Sequence, residues 1–261
     1  MHDFLLSVVN DTIDNLIQRE VNEFHTKSQN RMDDPFLPFN INITLLTSKQ
    51  TEALQWKEHT FGSECIPLGN NITPRKFNRK HSAVLFEKKA PLSKDIFNQV
   101  ISDSFAATIE THGIKMPYPS GGALYSGQVI IFIKNVQGYG HGAYHYLPIS
   151  NKLESLDALP IEVVEDALFM QKPSNFINYD FFILYGSLMS KHISKYGYRG
   201  YRLSMMEIGS MYRNMEIQST YHHLTNRVWG GFCDEALSVS LGVDPRVIVP
   251  QVCQLIGRGV C

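Results

Sequence analysis

The chain has 261 residues, enough for one large domain or two small ones. At this length about three quarters of the unfolded surface can be buried, so no disulfide or zinc staple is needed. Hydrophobic residues make up 43% and charged residues 19%, and 24 basic against 25 acidic side chains leave a net charge of -1. That balance lacks the electrostatic footprint of a nucleic-acid or anionic-membrane binder, and neither partner is expected.

The elements follow in chain order. Residues 3–24 are predicted as an amphipathic helix, with Phe4, Val8, Ile13, Leu16, Ile17 and Val21 at helical spacing. A strand is predicted at Ile41–Leu46, and residues 48–80 as an irregular connection marked by Gly62, Pro67, Gly69 and Pro74. The body is α+β in pattern. Ala83–Phe86 is a short strand, and Ser93 caps a helix running through Ala107. Gln128–Lys134 and Ala143–Ile149 are strands around a glycine-rich connection. Pro160 opens a helix to about Met170, and Asp180–Tyr185 is a strand. Residues 203–221 form a helix apolar nearly all round, with Glu207, Arg213 and Glu216 its only charges, and such a helix is buried centrally or at a subunit interface. Cys253–Ile256 ends a last apolar segment.

The four cysteines, Cys65, Cys233, Cys253 and Cys261, form no CxxC and match no zinc spacing, so reduced, packed thiols and no metal are expected. The N-terminus carries Asp3 where a signal peptide carries bases, and apolar runs such as Val129–Ile133 are strand-length, so a soluble, cytoplasmic chain is expected. No GxSxG, P-loop or GxGxxG is present.

Four segments could carry chemistry. In Tyr118–Tyr125 (YPSGGALY), residues without Cβ let backbone approach a flat or phosphorylated ligand and Ser120 offers a hydroxyl, although on residue types alone a tight turn feeding a strand is the better explanation. Lys195–Arg202 (KYGYRGYR) packs three tyrosines, three cations and two glycines into eight residues. Adjacent residues diverge on a helix or strand, so Lys195 and Tyr196 share a site only if the backbone turns, which Gly197 permits. An ammonium beside a phenol favours the phenolate and makes it a better base, while a cationic loop capping the next helix is the plainer alternative. Val228–Phe232 again sets glycines beside aromatics. Arg79, Ser82 and Arg258 are candidate anion contacts.

In order, YPSGGALY, Tyr144-His145-Tyr146, KYGYRGYR, Glu207–Asn214 (EIGSMYRN) and Asn226–Phe232 (NRVWGGF) resemble the FMN-dependent azoline dehydrogenases, the SagB/McbC-type branch of the nitroreductase superfamily. The resemblance covers roughly residues 75–258. It implies a nitroreductase-like α+β fold over 75–261 behind an N-terminal arm or subdomain over 1–74, a homodimer, and FMN near its interface. It further implies oxidation of thiazolines and oxazolines to thiazoles and oxazoles in a ribosomal precursor peptide, beside the cyclodehydratase subunits of one synthetase complex. Lys195 and Tyr196 match the family's catalytic pair. Ser120 and Gly121 are expected at the flavin ring or ribityl chain, Gly230 and Gly231 along the isoalloxazine, and Arg79, Ser82 and Arg258 at the phosphate. The competing expectations are a stand-alone nitro- or quinone-reductase using a nicotinamide donor, and a flavin-free docking scaffold.

Overall fold

The computed structural model describes residues 12–29, 47–54, 79–111, 113–170 and 175–261. The expected strand Ile41–Leu46, the first residues of the expected N-terminal helix, and Cys65 lie outside the described residues. The first described helix, α1 (Asn15–Ser28), starts where the Asp14 carboxylate accepts from the Leu16 and Ile17 amides. A second helix, α2 (Ser48–Leu54), stands in a stretch expected to be irregular. Its seven residues contain neither glycine nor proline, so nothing local forbids helix.

The body begins with the short strand β1 (Leu85–Phe86), which pairs with the C-terminal β10 (Gly259–Val260). Helix α3 (Lys94–Phe105) follows its Ser93 cap as expected. Next comes an exposed hairpin, β2 (Thr108–Glu110) and β3 (Gly113–Lys115), which the sequence did not signal because neither strand has a buried face. The main sheet is formed by β4 (Gly127–Ile133), β5 (Gly142–Leu147), β6 (Lys152–Ser155), β7 (Phe181–Ser187), β8 (Thr225–Trp229) and β9 (Val249–Gly257). Its order is β6-β5-β4-β7-β9-β8, antiparallel throughout. Pro250 is tolerated in β9 because the register with β7 shifts there.

Helices α4 (Ile161–Leu168), α5 (Met189–Tyr196), α6 (Tyr198–Tyr221) and α7 (Asp234–Ser240) complete the body. Alternation along the central strands sends Ile131, Ile133, Ile183 and Tyr185 to one face, against Phe97 and Phe105 of α3 and Met211 and Met215 of α6. Ile130, Phe132, Phe182 and Leu184 go to the other, against Val164 and Leu168 of α4 and Leu237 of α7. With both faces covered, β7 is buried along its whole length, which is why it reads as an unbroken apolar run.

Helix α6 starts five residues earlier than expected, directly after Gly197. That glycine has φ +55 and joins α5 to α6 at a sharp corner. Gly200, one turn on, lies so close to the His192 carbonyl that any side chain there would strike α5 backbone. Helix α1 packs on this corner, with Val21 buried against Met189 and Ile193 and with Phe24 edge-on to Tyr201 at 5.6 Å. Helix α1 therefore rests on the elements that carry Lys195 and Tyr196.

Candidate functional site

The residues singled out in the sequence fall into two clusters and a separate pair of glycines. The first joins the turn before β4 to the corner between α5 and α6. Gly122 takes φ +65 at the centre of the turn, and a methyl group built on it would land inside the contact radius of the Tyr196 hydroxyl and 3.0 Å from Lys195 Nζ. Backbone and phenol thus touch only because Gly122 has no side chain. Lys195 and Tyr196 end α5, where the turn at Gly197 lets neighbouring side chains converge, and Lys195 Nζ sits 5.3 Å from the centre of the Tyr196 ring. Tyr196 is half-buried and Lys195 exposed, so both tips are open to a ligand lying on the turn.

The turn is held in an unfavourable backbone shape. Ala123 (φ 54) and Tyr125 (φ 47) are both left-handed without being glycine, each costing on the order of 1–3 kcal/mol that the surroundings must offset. Ser120 Oγ accepts from the Tyr125 amide at 2.9 Å and donates to Glu207 Oε2. The other oxygen of Glu207 accepts from the Gly127 amide at 2.6 Å. Lys191 Nζ donates to the Tyr125 carbonyl at 3.0 Å, and burial lowers the pKa of this amine while Glu207 opposes the shift.

Behind the turn, His192 is wholly buried. Its Nδ1 lies 2.9 Å from Ser126 Oγ, and Ser126 continues to Ser187 and Ser204 at 3.2 and 2.6 Å. Its Nε2 closes no hydrogen bond among the described residues and lies 3.7 Å from Glu207 Oε2. Burial lowers the His192 pKa, against the pull of Glu207 and the Gly121 backbone, so the ring is neutral, and it stacks on Tyr196 at 6.4 Å between centroids.

The second cluster, Arg79, Ser82 and Arg258, lies around β1 and the end of β9, where Thr225 of β8 pairs with Gly257. Gly230 and Gly231 stand apart from both clusters, beyond the other end of β8, where Trp229 pairs with Cys253. Ser82 precedes Ala83, whose amide donates to the Asn226 carbonyl and whose carbonyl accepts from Arg227. Gly230 leaves β8 exposed, with no atom within 4 Å of where a Cβ would stand, while a Cβ on Gly231 would meet the Trp229 ring at 3.1 Å. Arg258 holds the buried Asp180 with two hydrogen bonds, at 2.9 and 2.6 Å, and Arg79 Nε pairs with Glu216 Oε1 at 3.0 Å. Asp180 precedes the first residue of β7, whereas Gly127 at the other cluster pairs with the last. The seven residues of β7, about 20 Å, separate the clusters along the strand.

No family model matches the chain. A curated relative, the microcin B17-processing protein McbC of Escherichia coli, is 28% identical over 262 residues, spanning 98% of this chain and 96% of McbC. A chain of the E. coli microcin synthetase McbBCD complex, solved with truncated pro-MccB17 bound, superposes with a TM-score of 0.82 at 26% identity, over 97% of this chain and 96% of that one. This chain is a relative of McbC with a nitroreductase-like fold. Structures solved as nitroreductases from Anabaena variabilis and Ralstonia eutropha share that fold at TM-scores of 0.58 and 0.55 and identities of 19% and 16%. They cover 69% and 75% of the McbC-like chain, and the matches span 37% and 89% of theirs.

Sequence reasoning named both ends of the first cluster and missed its middle. Glu207, His192 and Lys191 were not proposed as site residues. The available signal was Glu207, a carboxylate in a helix otherwise apolar on nearly every face, since a buried charge must have partners.

Proposed function

We propose that this chain is the FMN-dependent dehydrogenase of an azole-forming, peptide-modifying complex, oxidising thiazolines and oxazolines of a ribosomally made precursor to thiazoles and oxazoles. The observation that carries the reading is the contact of Lys195 and Tyr196 with the Gly122 turn, in a relative of a microcin B17-processing protein. The E. coli complex with its bound pro-peptide supports a precursor peptide and cyclodehydratase subunits as partners.

Aromatising an azoline removes a proton from the ring carbon that was Cα and a hydride from its neighbour. FMN supplies the hydride acceptor when bound. The chain must then place the azoline and take the proton. Tyr196 or Lys195 does so, the two side chains lying together at the turn. The residues fit a flavin: Gly122 and Gly230 are exposed, and at Gly230 nothing stands within 4 Å of the place of a Cβ, as a flat ring lying on backbone requires. Ser120 and Gly121 would lie at the ring or ribityl chain, Gly230 and Gly231 along the isoalloxazine, and Arg79, Ser82 and Arg258 near the phosphate. Because the two clusters lie apart in one chain, they complete one site when Ser120, Gly121, Lys195 and Tyr196 of one copy face the glycines and cations of another. The separation thus supports a homodimer with two shared sites.

Mass spectrometry of a precursor co-expressed with its cyclising subunits, with and without this chain, tests the function. Loss of two hydrogens per ring only when the chain is present is the expected result. Rapid nicotinamide oxidation with nitroaromatics and no change in azoline peptides would establish the stand-alone reductase instead. A protein that stays colourless after FMN is added would establish the scaffold.

A further inference from the structure

The eight-residue loop from Ser120 to Gly127 is closed at both ends by a single carboxylate. Glu207 Oε2 accepts from Ser120 Oγ, Oε1 accepts from the Gly127 amide, and the Glu207 side chain is wholly excluded from water. Ser120 Oγ in turn takes the Tyr125 amide, so the left-handed residues Ala123 and Tyr125 lie inside a ring of bonds that begins and ends on Glu207. Neither residue is glycine and each prefers negative φ, so their conformation needs that ring together with the hydrogen bonds of the Ala123 amide to the Ser120 carbonyl and of Lys191 to the Tyr125 carbonyl. The loop carries Gly122, whose place against the Tyr196 hydroxyl defines the first cluster. On the far side of Glu207, His192 fills the space between the Gly121 backbone and the Tyr196 ring, with Nε2 and Oε2 3.7 Å apart.

We infer that Glu207 is a positioning residue for azoline oxidation: by bridging Ser120 and Gly127 it holds the strained Gly121–Tyr125 backbone, and hence the ligand surface, in register with Lys195 and Tyr196. The inference rests on the function proposed above. A charged carboxylate suits the task because both of its oxygens face donors. An amide of the same shape keeps the Gly127 bond only by turning its NH2 group toward Ser120 Oγ, whose hydroxyl hydrogen then loses its carboxylate acceptor.

The test compares wild-type and Glu207→Gln holoenzymes by amide hydrogen exchange and by single-turnover and steady-state oxidation of an azoline peptide. Exchange at Tyr125 and Gly127 is expected to rise about tenfold or more, with the amides of β7 unchanged. Per FMN-loaded protein, kcat is expected to fall about tenfold to a hundredfold while the peptide KM stays within about twofold, the pattern of a misplaced site and not of lost binding. Exchange and kcat both within about twofold of wild type would overturn the inference, as would a kcat loss matched by loss of folded protein. Should Glu207→Gln fail to fold, Ser120→Ala opens the same ring at its other member and Ser120→Thr restores the hydroxyl. Loss of Tyr125 protection in the first and its return in the second is then expected, and equal protection in both overturns the inference. If the wild-type protein does not oxidise azolines, the function proposed above fails, while the exchange measurement still decides whether Glu207 clamps the loop.

Discussion

Lys195 and Tyr196 meet at the end of a helix because Gly197 has no side chain to forbid φ +55. Seventy-odd residues earlier, Gly122 meets them because it has no side chain to collide with the phenol. Two substitutions separate chemistry from shape at this contact. Lys195→Ala and Tyr196→Phe are expected to retain bound FMN and to stall peptides at the azoline stage, visible as rings heavier by two hydrogens in the mass spectrum. Gly122→Ala leaves both functional groups present but drives the Tyr196 hydroxyl aside and places alanine at φ +65. It is expected to cost about 1 kcal/mol of stability and about a hundredfold in kcat, checked by thermal melting alongside steady-state rates. The residue types at this site were legible in the sequence. Their contact was not, because no local rule links a turn before β4 to the end of α5.

Helices α5 and α6 behave as one bent element, pinned at Gly200 by near backbone contact and covered on one side by α1. The amphipathic pattern of α1 was readable, but not what it rests on, since apolar spacing gives a face and no address. Its buried His25 has no hydrogen-bond partner at either ring nitrogen among the described residues, and burial lowers its pKa below the ordinary 6.5. A lowered histidine pKa means that the unfolded chain binds a proton the folded chain does not. The docking of α1 is therefore fully favourable above about pH 6.5 and weakens as pH falls below it. Proteolysis of α1 is expected to accelerate between about pH 6.5 and pH 5, and His25→Leu to remove most of that dependence. His192 shares the direction of shift, so the body also loses stability toward acid.

At the scale of the molecule, one sheet with both faces covered sets the two clusters at different places, and the homodimer proposed above would share its site across two copies. A mixture of Tyr196→Phe and Gly230→Leu chains tests it. Gly230 has open space around its missing Cβ within one chain, so leucine there is expected to fold normally while filling the ring surface. Each variant alone is expected to be inactive, and mixed dimers, holding one intact site each, to restore about a quarter of wild-type activity. No described helix is long and apolar enough to cross a membrane. The sequence alone determined the strand-length apolar runs of β4 and β7, the Ser93 cap, the glycine turns and the presence of the Lys-Tyr pair, because these depend on neighbours a few residues away. The hairpin at residues 108–115, the helix at 48–54, the Glu207 clamp and the division into two clusters were decided only by tertiary structure. Each depends on what a buried carboxylate, an exposed edge or a bare backbone meets across the fold, and that is not written in spacing along the chain.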